Sequence, residues 1–139
     1  MMADKDVILA KAGSVERYTS RIKTITSGRS LESFLNDIDL QDIILFNIQL
    51  AVQNCIDIAA HIVSQGNMGV PGSTSELFYS LEENGFLNRS LTEKMVKAVG
   101  FRNLIVHEYG KLDLKRAFDI SQNDINDLKE FLKAVMQKI

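Results

Sequence analysis

The 139-residue sequence has little of several residue types that particular kinds of site require. It contains one cysteine, two histidines and no tryptophan, and aromatic residues make up 7% of it. A single cysteine excludes an internal disulfide and a cysteine-based zinc site. The scarcity of aromatic rings argues against a protein that binds nucleic acid by stacking bases. Two histidines leave little scope for metal chemistry.

Long apolar runs are also absent from the sequence. Because no stretch approaches about 18 uninterrupted apolar residues, we expect no transmembrane helix and no membrane partner. The first residues, MMADKDVILAKAG, mix acidic and basic side chains and lack the apolar region of a signal peptide. Hydrophobic residues make up 45% and charged residues 24%, as in ordinary globular proteins. We therefore expect a cytoplasmic protein with a single domain over residues 1–139.

Apolar residues recur at helical spacing almost throughout the chain, and no alternating strand pattern competes with them. With one proline and eight glycines, long stretches are uninterrupted. Helices are predicted over residues 4–26, 39–65, 73–84, 90–109 and 113–120, and from about residue 125 onward. Residues 30–37 are predicted to form a short helix or a turn. This pattern predicts an all-α bundle of five or six helices.

Two capping boxes mark helix starts, Ser73 with Glu76 and Ser90 with Glu93. In each, the serine hydroxyl accepts from a free backbone N–H, and the glutamate reaches back to the N–H of the serine. The long helix carries an apolar stripe wider than one packing partner needs, which favours a homodimer. The stripe consists of Ile44, Ile48, Ala51, Val52, Cys55, Ile58, Ala59 and Ile62.

Charge is distributed unevenly along the chain. The net charge is −2, but residues 89–116 hold seven basic and three acidic residues, which makes this segment +4 and the remainder −6. The segment is either a solvated helix face with a chance excess of cations or an electrostatic footprint for an anion. Both interpretations stay open at this point.

Three polar residues with useful chemistry, Arg102, His107 and Tyr109, lie in the run FRNLIVHEYG near a predicted helix end. At about 100° per residue, Arg102 and Tyr109 fall within about 20° of each other, whereas His107 lies about 140° from Arg102. A straight helix therefore does not bring the three side chains together. Either the helix ends near His107, which Gly110 permits, or a second copy of the chain completes the site.

The residue types in this run suit cleavage of RNA without a metal ion. Arginine offers a permanently charged planar group for a phosphate, and histidine gives or takes a proton near neutral pH. The structural alternative is that His107 only stabilises a helix C-terminus while Arg102 and Tyr109 extend to solvent along the surface.

The run from Arg102 to Tyr109 matches the pattern R-x4-H-x-Y, and here the sequence resembles the HepT-type ribonuclease toxins of the HEPN superfamily. The resemblance covers most of the chain. Its other recurring positions are Asp57, His61, Pro71, Glu76, Phe78, Leu81, Gly85 and Gly100.

The resemblance implies a HEPN-like helical homodimer, the toxin of a type VII-like toxin–antitoxin module. The two subunits would share a cleft that cleaves RNA without a metal or other cofactor. Arg102 and His107 would be the catalytic residues, with Asn103 and Tyr109 positioning the substrate. The partner would be an MNT-type nucleotidyltransferase antitoxin that transfers AMP from ATP to Tyr109. The alternative is a non-catalytic helical dimer that holds a nucleotidyltransferase or a nucleotide as a scaffold.

Three other residues have simpler interpretations. Asp57 and His61 share a helix face; they form either a metal pair lacking a third ligand or, the favoured interpretation, a hydrogen-bonded pair. Gly100 is expected to permit close helix packing or a bend just before the motif.

Overall fold

The computed structural model describes residues 4–139, and these form α-helices joined by short turns. The α-helical segments are α1 Lys5–Thr26, α2 Leu31–Leu35, α3 Ile38–Gln65, α4 Thr74–Glu83, α5 Arg89–His107, α6 Leu114–Asp119 and α7 Ile125–Met136. A 3-10 turn, Tyr109–Lys111, follows α5, and a π-helical turn, Ile120–Asp124, joins α6 and α7 into one continuous helix. Counted this way, the described residues form six helices, which confirms the prediction of an all-α fold.

The core is built around α3, which packs along α1 and also contacts α2, α4, α5 and α7. Three phenylalanines, Phe34, Phe78 and Phe131, are completely buried, and the rings of Phe78 and Phe131 meet edge to face with centroids 5.5 Å apart. All eight residues of the predicted apolar stripe on α3 are buried within the chain. Several helices of the same chain cover the stripe, so its width is not evidence for a dimer, and that step of the prediction is wrong.

The predicted ends of α1 and α4 are confirmed. The chain leaves α1 through Ser27 and Gly28, and Gly28 has a φ of 73°. Asn84 ends α4, and Gly85 follows with a φ of 82°. Both glycines adopt the left-handed conformation that residues with a Cβ rarely adopt.

The predicted helix caps are partly confirmed. Ser73 caps α4 by accepting from the N–H of Glu76, but the Glu76 carboxylate accepts from the N–H of Gly72 rather than from that of Ser73. The second predicted box is wrong, because the N-cap of α5 lies two residues before Ser90. Asn88 caps α5 through a 2.8 Å bond from the N–H of Leu91, which leaves Ser90 in the first turn. Asparagine is at least as good an N-cap as serine.

Gly100 does not permit close helix packing, since no side chain or neighbouring backbone lies within 4 Å of where its Cβ would be. That prediction is wrong, and α5 runs through this residue without interruption.

By length and composition alone, α3 is apolar enough to cross a membrane. In the structure, 56% of its most apolar window is buried inside the bundle. The apolar character of α3 therefore serves the core.

Candidate functional site

The end of α5 positions the residues of the R-x4-H-x-Y motif. The helix ends at His107, and Glu108 closes it by donating its N–H to the carbonyl of Leu104 at 2.8 Å. The backbone of Glu108 leaves the helical region, and Tyr109 begins the 3-10 turn. Of the two arrangements expected from the sequence, the helix therefore takes the one in which it ends at His107.

Arg102 is half-buried and turns its guanidinium towards α3. Its Nη2 donates to Oε1 of Gln53, and its Nη1 donates to Oδ1 of the adjacent Asn103 at 2.9 Å. The Nε atom is buried and has no hydrogen-bond partner among the described residues. Both acceptors are neutral amide oxygens, so the guanidinium is oriented while its positive charge remains available to an anion.

His107 and Asn103 are exposed on the last turns of α5. His107 is the last residue of α5, and its exposed imidazole is therefore accessible to a bound molecule.

Tyr109 is 44% exposed, and its hydroxyl donates to Oδ1 of Asp42 at the start of α3. Partial burial and, secondly, the bond to this carboxylate raise the pKa of Tyr109 to about 12. Burial disfavours the charged phenolate, and the carboxylate repels it. The hydroxyl is thus neutral at physiological pH, accessible from solvent and held in one direction.

The motif residues of one chain are held at different points along α3. Gln53 and Asp42 lie 11 residues apart on that helix, a separation of about 16 Å. Because these two residues hold the side chains of Arg102 and Tyr109, one chain does not gather the motif at a single point. A second copy of the chain remains the other way to complete a compact site.

A shallow concave surface lies beside the Tyr109 ring. It is lined by Asp42, Ile43, Phe46, Gln49 and Tyr109. Phe46 is 58% exposed, and Ile43 and, on α5, Leu104 and Val106 are also exposed. A deeper cavity between α3, α5 and the π-helical turn contains none of the motif's polar residues.

The basic residues of segment 89–116 do not form one continuous patch of unpaired cations. Arg89 pairs with Glu82 at 3.0 Å, and Lys94 lies 3.8 Å from Asp127 and 3.7 Å from Glu130. For these two residues the solvated-face interpretation is the better one. Arg102 differs from both, because its partners are uncharged.

Asp57 and His61 do not bond to each other as favoured from the sequence. Asp57 contacts Lys11 and Gln53, whereas Nε2 of His61 accepts from the N–H of Asp4 at 3.2 Å. Within residues 4–139, no three His, Cys, Asp or Glu side chains are close enough to share a metal ion. Cys55 is completely buried, which raises the pKa of its thiol, so it is a core residue as expected from the sequence.

Two residues that contact the motif, Asp42 and Gln53, were not singled out from the sequence. They lie on one face of α3 together with Phe46, Gln49 and Asp57, at successive spacings of three or four residues. This polar pattern was a usable signal, but only the structure shows that the face lies against the end of α5.

Fold and motif together define an all-α protein with an R-x4-H-x-Y motif at the exposed end of a helix. A family model described as Ribonuclease HepT-like matches residues 15–135. An mRNA nuclease HepT of Shewanella oneidensis is 32% identical over 130 residues, which cover 94% of this chain and 96% of that protein. A tRNA nuclease HepT of Aphanizomenon flos-aquae is 30% identical over 112 residues, covering 81% of this chain and 76% of that one.

A solved structure is similar along the same length. The tri-AMPylated HEPN toxin of Shewanella oneidensis, in complex with an MNT antitoxin, has a TM-score of 0.90 and 31% identity, covering 97% of this chain and 100% of that one. The chain belongs to the HepT-like ribonuclease family of HEPN proteins.

Proposed function

We propose that the chain is a metal-independent endoribonuclease toxin that an MNT-type nucleotidyltransferase antitoxin neutralises by transferring AMP to Tyr109. The observation that carries this proposal is the arrangement at the end of α5. An uncompensated arginine and an exposed histidine lie there in the family's motif, followed by an exposed tyrosine. The named activities of the two HepT relatives support the same conclusion.

In the cleavage reaction, a base removes the proton of a ribose 2′-hydroxyl, and this oxygen attacks its own adjacent phosphate. A 2′,3′-cyclic phosphate forms and the 5′-oxygen leaves with a proton from an acid. His107 is the acid or base at neutral pH. Arg102 binds the phosphate and stabilises its added charge in the transition state. Asn103 holds the guanidinium through its 2.9 Å bond and thereby helps to position the substrate.

A homodimer is part of the proposal, now for a different reason than the stripe on α3. Apolar side chains are exposed beside the motif on both α3 and α5, namely Ile43, Phe46, Leu104 and Val106. A C2 interface over this surface would bury them and bring two copies of the motif together. It would also compensate for the separation of Arg102 and Tyr109 within one chain.

Neutralisation follows from the position of Tyr109. Its oxygen loses the hydroxyl proton and attacks the α-phosphorus of ATP, a tyrosyl phosphodiester forms, and pyrophosphate leaves. The modification adds negative charge and bulk beside the cleft, where it competes with RNA for the cations of the motif. The tri-AMPylated toxin of Shewanella oneidensis supports this form of regulation.

The direct test of the catalytic proposal is cleavage of a defined RNA by the purified protein in the presence of EDTA. We expect cleavage with chelator, 2′,3′-cyclic phosphate ends, and no cleavage where the 2′-hydroxyl is replaced by hydrogen. Inhibition by EDTA that added metal reverses would contradict the metal independence of the reaction. A protein that binds the antitoxin but cleaves no RNA would support the scaffold alternative.

The regulatory proposal is tested by incubation with the antitoxin, ATP and Mg²⁺. We expect mass increases in units of one AMP on Tyr109, together with loss of RNA cleavage. Tyr109→Phe keeps the ring, removes the acceptor oxygen and should block the modification. Modification of that variant at Tyr18, Tyr79 or a serine would refute Tyr109 as the acceptor.

The shared cleft is tested by mixing subunits. An Arg102→Ala subunit combined with a His107→Ala subunit should recover activity if one site draws residues from both chains. Sedimentation that shows a stable monomer with full activity would contradict the shared cleft.

A further inference from the structure

A line of polar contacts runs from α1 through α3 to the arginine of the motif. Lys11 Nζ lies 3.3 Å from Oδ2 of Asp57, and Nε2 of Gln53 donates to Oδ1 of Asp57 at 2.9 Å. Oε1 of the same Gln53 amide accepts from Nη2 of Arg102. These contacts connect α1 and α3 to the guanidinium group of Arg102 on α5.

The two neighbours of Gln53 determine which way its amide points. A carboxylate only accepts hydrogen bonds and a guanidinium only donates them. The amide NH2 group must therefore face Asp57 and the amide oxygen must face Arg102. Lys11 lies 3.3 Å from the other carboxylate oxygen and is a second partner of Asp57.

Gln53 separates a negative charge from the positive charge of the motif. Elsewhere in the segment, Arg89 is bonded directly to the Glu82 carboxylate, so its charge is compensated. Arg102 instead meets an amide oxygen, and the carboxylate of Asp57 lies one residue further away. A carboxylate in place of the Gln53 amide would compete with an RNA phosphate for the same donors.

Gln53 contributes much of the orientation of Arg102, because the guanidinium has few other hydrogen-bond partners. Nε is buried without a partner, and apart from Gln53 the guanidinium is bonded to Asn103, which is itself exposed. Without the bond to Gln53, the bond to the exposed Asn103 would be the remaining one that orients the guanidinium among the described residues. A small misplacement of a group that stabilises the transition state is enough to lose about 10²-fold in rate.

We propose that Gln53 is a positioning residue for Arg102, and that the Lys11–Asp57 pair fixes the amide of Gln53 so that Arg102 is oriented without being neutralised. The proposal rests on the proposed function in one respect, namely that Arg102 binds the RNA phosphate.

Gln53→Glu is the decisive variant, because it preserves side-chain size and places a charge against Arg102. RNA binding is measured with a 2′-O-methyl strand that cannot be cleaved, over a range of salt concentrations. We expect weaker binding and a salt dependence reduced by about the slope of one phosphate contact, roughly 0.7 for a single strand. Gln65→Glu adds the same charge at the far end of α3 and should leave the slope unchanged.

Gln53→Met tests orientation separately from charge. It keeps the length of the side chain and removes both hydrogen bonds, so we expect single-turnover cleavage to fall by about 10²-fold while the salt slope of binding stays near wild type. Thermal unfolding identifies a variant that has simply lost its fold. Asp57→Asn keeps an acceptor for Gln53 but removes the ion pair, and its loss of rate should be smaller than that of Gln53→Met.

A double-mutant cycle separates this role from a general structural one. If Gln53 acts through Arg102, Gln53→Glu will not weaken RNA binding further in an Arg102→Ala background. Equal weakening in both backgrounds, or wild-type behaviour of both Gln53 variants, would overturn the proposal. The failures are distinguishable, because a wild-type protein that does not bind or cleave RNA refutes the proposed function instead.

Discussion

The two faces of α3 differ in what their side chains contact. One face carries the buried apolar stripe, from Ile44 to Ile62, and packs against several helices of the bundle. The other carries Asp42, Phe46 and Gln53 and lies along the end of α5, where it meets the motif residues. Stability and the site thus depend on different residues of the same helix. Substitutions on the buried face should therefore change the free energy of unfolding with little direct effect on the site. Substitutions on the face along α5 should change the site with little effect on the free energy of unfolding.

The largest expected effect is on the site. Arg102→Ala and His107→Ala should each reduce RNA cleavage by about 10²- to 10⁴-fold, because the proposed function assigns phosphate stabilisation to Arg102 and a proton transfer to His107. Both residues lie outside the core, so the change in the free energy of unfolding should stay below about 1 kcal/mol. Cleavage assays and urea unfolding measure the two quantities.

Arg116→Ala is the matched control for these variants. Arg116 belongs to the same basic segment, but its guanidinium lies 5.9 Å from the centre of the Phe101 ring rather than in the motif. The Arg116→Ala variant should cleave RNA at a rate within a few-fold of the wild-type rate. Near-full activity of either motif variant would contradict the role given to that residue.

The core face should show the reverse pattern. Phe131→Ala removes a completely buried ring that packs against Phe78, and it should lower the free energy of unfolding by about 3–5 kcal/mol. Denaturant unfolding measures the loss. Val70 is 97% exposed in the loop before α4, so Val70→Ala should change stability by less than about 0.5 kcal/mol. Equal losses in the two variants would contradict the assignment of the core.

A smaller effect is expected on the ionisation of Tyr109. Asp42→Asn removes the carboxylate that repels the phenolate, so the pKa of Tyr109 should fall from about 12 towards its ordinary value of 10.0. Because burial is the larger cause of the raised pKa, the new value should remain above the ordinary one. The ultraviolet absorbance of phenolate measures the titration midpoint of Tyr109. The titration of the Tyr109→Phe variant gives the contribution of Tyr18 and Tyr79, which is subtracted. An unchanged midpoint would show that the Asp42 bond is not formed in solution.

Most of the fold could be predicted from the sequence because its signals are local. The apolar spacing in α1 and α3 and the glycines after α1 and α4 lie within one or two helical turns of what they determine. The width of the stripe on α3 does not predict a dimer, for a physical reason. Spacing shows that a face is buried, but not whether a helix of the same chain or of a second one covers it.

The site could be predicted only along one helix. The R-x4-H-x-Y pattern makes Arg102, His107 and Tyr109 candidate site residues. The partners of Arg102 and Tyr109, Gln53 and Asp42, lie 49 and 67 residues away in sequence. Contacts at such distances depend on how α3 and α5 pack, which no local spacing records. The same is true of Asp57 and His61, which share a face but bond to α1 and to the residue before it.

The smallest expected effect concerns the start of α5, where two candidate caps compete. Asn88 accepts from the N–H of Leu91 at 2.8 Å, and Ser90 lies inside the first turn. Asn88→Ala leaves that N–H without its partner and should lower the free energy of unfolding by about 1 kcal/mol. Ser90→Ala should cost less than about 0.5 kcal/mol, because an exposed residue within the helix loses no capping bond. Denaturant unfolding of the two single variants decides between them. The reverse order of losses would mean that α5 begins at the serine, as the capping-box pattern alone predicts.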